Sequence, residues 1–144
     1  MKFLTLIFLF AFSSSAICCP NILGTWKSSK EKSMNYNNHA GLEKKQLDLL
    51  NQILGYTTIN YTETIKKHHK LPSVKFFLND KEHNLTFEEM SFSYKLKSCD
   101  EHSIIIQFED AEELKFVFVN PDTYWVSPKE VLSKSREYYV RISN

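Results

Sequence analysis

The hydrophobic period of the chain changes twice. Ile22 to Lys27 is a short apolar piece that carries Gly24-Thr25-Trp26-Lys27, and Ser28 to Asn38 is polar and Asn-rich and reads as a loop. From Gly41 to Leu54 the apolar positions Leu42, Leu47, Leu49, Leu50, Ile53 and Leu54 recur at three- and four-residue spacings. That pattern predicts one amphipathic helix, with Gly55 as its stop. Beyond Gly55 the period falls to two. Thr57, Ile59, Tyr61 and Ile65 share one face of a strand rich in β-branched residues. Further alternating sets follow: Val74-Phe76-Leu78 (introduced by Pro72), Phe92-Tyr94-Leu96, Ile104-Ile106-Phe108, Leu114-Phe116-Phe118, Tyr124-Val126 and Tyr138-Val140-Ile142.

With the Trp26 piece these make about eight strands. The connectors at Ser98–Glu101, Glu109–Glu113 and Asn120–Asp122 are short and suit antiparallel hairpins. Each strand has one apolar and one polar face, and a sheet of that kind closes most readily on itself, which removes its edges. The predicted fold is mainly β, an antiparallel up-and-down barrel of about eight strands with one helix between the first two.

The 144 residues suffice for one domain. Met1 to Ala16 reads as a secretory signal. Lys2 is its charge, Phe3 to Phe12 its apolar run, and Ser14-x-Ala16 its small-residue cleavage pattern. The expected mature domain is 17–144. The run is too short to span a bilayer as a permanent helix. Export implies an oxidising periplasmic or extracellular compartment, where disulfides persist. Of Cys18, Cys19 and Cys99, one bridge from the N-terminal pair to Cys99 is the favoured pairing, with one thiol left over. A membrane enters only through lipidation at Cys18 or Cys19, although Ile17 and Cys18 are not the small residue that usually precedes a lipidated cysteine.

Eighteen basic against 17 acidic residues give a net charge of +1, which argues against a nucleic-acid partner. No nucleophile elbow, metalloprotease helix or phosphate-cradling loop occurs, so the expectation is no enzyme, no cofactor and no metal. His68-His69, among Lys66, Lys67 and Lys70, reads as a solvated charged loop, and Glu109 to Glu113 as a solvated acidic hairpin tip.

Gly24-x-Trp26 on the first strand and Arg141 near the end of the last resemble the calycin group: lipocalins, fatty-acid-binding proteins and small exported lipocalin-like bacterial proteins. The resemblance implies that Trp26 plugs one barrel end and Arg141 packs over it, where a planar guanidinium stacks on indole and donates to carbonyls. It also implies that Arg136-x-Tyr138, placed on the face of Val140 and Ile142, holds an anionic head group inside the barrel. Phe92, Tyr94, Phe108, Phe116, Phe118 and Tyr124 would then line the interior. The expected function is binding of a small apolar or amphipathic ligand. The alternative is a protein-binding inhibitor, immunity-type or accessory envelope protein with a filled barrel.

Overall fold

The computed structural model describes residues 18–127 and 134–143. The expected signal segment, Met1 to Ala16, lies outside the described residues. The elements run β1 (Gly24–Ser28), α1 (Lys30–Asn37), α2 (Lys44–Ile53), β2 (Thr58–Tyr61), β3 (Ile65–His68), β4 (Leu71–Leu78), β5 (Lys81–Phe87), β6 (Met90–Cys99), β7 (Ser103–Phe108), β8 (Glu113–Asn120), β9 (Thr123–Val126) and β10 (Glu137–Ser143). Eight strands form a closed antiparallel barrel in the order β1-β10-β9-β8-β7-β6-β3-β2. The barrel predicted from the alternation is therefore the fold found.

The eight strands are not the expected eight. The stretch Thr57 to Ile65 is not one strand but turns back on itself. Thr62 N donates to Ile65 O at 2.9 Å and Thr62 Oγ1 accepts from Ile65 N at 3.2 Å, separating β2 from β3. The Val74-Phe76-Leu78 set leaves the barrel and pairs with β5 as a separate two-stranded sheet. Its turn is Asn79-Asp80, at φ 50° and 60°, the left-handed pair that a tight two-residue hairpin requires.

Both helices lie between β1 and β2. The predicted amphipathic helix is α2, with a capping box between Glu43 and Gln46. It packs against β4, where Leu50, Leu54, Leu71 and Val74 are buried. Its Gln52 side chain acts as one more strand, accepting from Phe77 N at 2.7 Å and donating to Phe77 O at 3.3 Å.

The stretch read as a loop, Ser28 to Asn38, holds α1. This helix has no apolar stripe. It starts at the N-cap Ser29, whose hydroxyl accepts from Lys32 N, and it docks through buried Ser33 and Asn37. Asn37 donates to Arg136 O and accepts from Arg136 N, both at 2.9 Å, and Ser33 Oγ accepts from Tyr138 N at 2.9 Å. These bonds satisfy backbone groups around the start of β10. Gly55 lets the chain re-enter the barrel after α2. Its φ is +94°, and an added Cβ would stand 2.8 Å from Lys30 Cβ.

An aromatic column fills the barrel: Trp26 on Tyr124 (4.7 Å between centroids), Tyr124 on Phe116 (5.1 Å), Phe116 on Tyr61 (5.8 Å) and Tyr61 on Tyr94 (6.0 Å), all edge to face. At the lower end Arg141 stacks on Trp26 at 4.2 Å. Its guanidinium donates to Asn21 O (2.7 Å), Pro121 O (3.1 Å), Leu23 O and the Asp122 carboxylate (3.0 Å). Cys19 is bonded to Cys99 at the end of β6, and Cys18 is free and exposed. This bridge is compatible with an oxidising compartment.

Candidate functional site

The upper end of the barrel, where β3, β6 and the β7–β8 hairpin meet, holds a cavity of about 400 Å³. Lys66 and His68 of β3, Ser91, Phe92 and Ser93 of β6, Phe108 of β7 and the hairpin-tip acids Glu109, Asp110 and Glu112 line it. The register explains who points inward. Buried Tyr61 pairs with Lys66, which pairs with Phe92, while Ile59 pairs with His68. Opposed residues share a face, so Lys66 and His68 project from β3 on the core side. The expected solvated loop Lys66–Lys70 is corrected accordingly. Lys66 and His68 belong to a barrel strand, and Lys67, on the other face, pairs with Glu89 at 2.8 Å.

Phe92 meets Phe108 edge to face at 6.2 Å and His68 at 5.9 Å, and Lys66 Nζ stands 5.2 Å over the Phe108 ring. Burial lowers the Lys66 amine to about 8, although Glu112 and Glu137 pull the other way. Burial, with Lys66 nearby, lowers His68 to about 4, so its imidazole is neutral at physiological pH.

Beneath the cavity lies a polar layer. Glu137, the first residue of β10, accepts from Ser28 Oγ at 2.6 Å and from the Tyr139 hydroxyl. Burial raises its carboxyl above the usual range, and these two bonds and Lys66 only partly offset that. Ser28 Oγ also accepts from Gly55 N at 3.0 Å. Deeper still, the buried hydroxyls of Tyr61 and Tyr124 face each other, and burial raises both well above the usual tyrosine range.

The expected site residues divide into three groups. Phe92 and Phe108 reach the cavity. Tyr94, Phe116, Phe118 and Tyr124 belong to the packed core. Arg136 and Tyr138 do not face the interior, and the face assigned to the last strand is reversed. Buried Tyr139 and half-buried Glu137 point inward, while Ile142, in phase with Tyr138, is 55% exposed. Arg136 is sandwiched outside the barrel between Tyr36 of α1 (4.1 Å) and Trp125 of β9 (3.9 Å). A helix on the outer face makes that face aromatic too, so alternation alone could not orient β10.

The pattern missed Lys66, Glu137, Ser28 and Tyr139. The available signal was the register: Lys66 lies two residues before His68 and is in phase with it on β3. Among the described residues no group of three or more His, Cys, Asp or Glu is placed to hold a metal. Comparisons with protein-family models, with curated proteins and with solved structures give no match.

Proposed function

We propose that the protein is an exported, calycin-type barrel that binds a small amphipathic molecule in the mouth cavity. The observation that carries this reading is the cavity itself, about 400 Å³ with two phenylalanine walls and a single amine on its inner side. That size is what small-molecule sites have, and the two phenyl rings form an apolar wall beside polar and acidic residues that suit the head of an amphipathic molecule. Affinity would come from apolar burial, on the order of 25 cal/mol per Å² before the cost of association. The polar anchor is Lys66, in place of Arg136 and Tyr138, which lie outside. The Trp26–Arg141 closure and the barrel support the calycin assignment.

Calorimetric titration with decanoate and with decanol tests the reading. Micromolar binding, weakened about tenfold by Phe92→Ala or Phe108→Ala, supports it. A bare mass in native mass spectrometry after purification from the native compartment, together with no binding of either compound at millimolar concentration, overturns it. The filled aromatic column favours a second reading, a protein-binding module that uses the barrel only as scaffold. A stoichiometric partner recovered from the native compartment, and still bound by Phe92→Ala, would support that reading.

A further inference from the structure

Eighteen basic residues less Arg136 and Arg141 leave 16 lysines, and Lys66 differs from those whose surroundings are defined. Lys67, Lys70, Lys75 and Lys97 sit in surface ion pairs with Glu89, Glu88, Glu82 and Glu113. Such amines are solvated and engaged with a carboxylate. Lys66 instead projects from a barrel strand into a cavity, with its amine over the Phe108 ring and Phe92 across the strand pair. Glu112 and Glu137 act on it through space.

An amine becomes a covalent ligand for a carbonyl when three conditions meet. It must shed its proton near neutral pH, have an apolar wall to seat the rest of the carbonyl compound, and have negative charge nearby to favour the cation that forms. Burial supplies the first at Lys66, bringing the amine to about 8. Phe92 and Phe108 supply the second, and Glu112 and Glu137 the third.

We propose that Lys66 captures small apolar aldehydes as a reversible imine in the mouth cavity. The neutral Nζ adds its lone pair to the carbonyl carbon, and the carbonyl oxygen takes up a proton to become a hydroxyl. That hydroxyl takes up a second proton from solvent and leaves as water, and the nitrogen, having lost one proton, keeps the other in the protonated carbon–nitrogen double bond. No oxidant or reductant takes part, and hydrolysis reverses the step. The two carboxylates stabilise the protonated imine electrostatically. This inference rests on the proposed binding cavity and specifies its ligand class.

The test is brief exposure of the full chain to decanal with cyanoborohydride at pH 7.5, followed by intact mass and peptide mapping, beside decanol titration of the same sample. The expected result is one decyl group per chain, on Lys66, formed at least tenfold faster than on any other lysine, with a rate that rises through pH 8. Lys66→Arg abolishes this fast adduct, and the decanol reading is taken on the unsubstituted chain. Decanol binding without preferential labelling of Lys66 overturns the imine and leaves the cavity reading standing. No decanol binding, with labelling spread over the surface lysines, overturns both. Should Lys66→Arg fail to give a native melting transition, the labelling map of the unsubstituted chain decides alone.

Discussion

Replacing Arg141 by alanine should cost the barrel about 3 kcal/mol. The side chain is only 9% exposed although its partner Asp122 is 73% exposed, so most of its contribution lies in the stack and the carbonyls rather than in the ion pair. Loss of the guanidinium from the indole face removes about 1 kcal/mol of cation–π attraction. Asn21, Leu23 and Pro121 each lose a charged donor. Their carbonyls can turn to water, so each loss is about 0.5 kcal/mol, at the low end for such bonds. The ion pair adds at most about 0.5 kcal/mol. For a chain of this length each kcal/mol moves the midpoint by roughly 3–5 °C, so Tm should fall by roughly 10 °C. Arg141→Lys keeps the charge but loses the plane and the fork, and should fall about half as far. Differential scanning calorimetry, with near-UV circular dichroism to show that both variants are folded, measures this. If Arg141→Ala melts within about 3 °C of the unsubstituted chain, the barrel end is not held by this residue.

Three further predictions follow from the fold and the polar layer. Cys19→Ser opens a link across 80 residues and should lower stability by about 4 kcal/mol in urea titration under oxidising conditions; equal midpoints with and without the bond would refute this. Asn37→Ala leaves Arg136 N–H and C=O without their partners and should cost about 2–3 kcal/mol, with faster amide exchange in α1; unchanged exchange there would mean that α1 is held by something else. Glu137 has a folded pKa above its unfolded one, so its burial is a penalty present when it is ionised and absent when pH falls below the unfolded value. Glu137→Gln should therefore raise Tm at pH 7 but not at pH 4, and a gain of equal size at both pH values would contradict the desolvation argument.

The barrel was legible because its inward residues alternate with polar ones over runs such as Ile104-Ile106-Phe108 and Leu114-Phe116-Phe118. The Trp26–Arg141 closure was legible because arginine is used only twice in a lysine-rich chain. What escaped has physical causes. In β5, Lys81 to Phe87 is exposed over most of its length, so no apolar face marks it. In α1, docking by Ser33 and Asn37 to strand backbone replaces apolar packing, and hydrogen bonds of that kind leave no periodic trace. The mouth escaped because Lys66 and Glu137 stand where the pattern expects apolar side chains. Local rules break most often at places held for a purpose other than stability.

The strand that completes the barrel is the last of the described strands in chain order. β10 bonds to β1 on one side and β9 on the other, joining residues as far apart as Thr25 and Ser143. Until β10 docks, β1 and β9 present open edges and α1 lacks the backbone it docks on. The closing contacts are among the most non-local the chain can make, which slows the final step of folding and leaves a nearly complete, sticky sheet waiting for it. The barrel therefore gains its protected state all at once, when β10 docks, and the state before that step is an aggregation-prone sheet rather than a slightly smaller barrel.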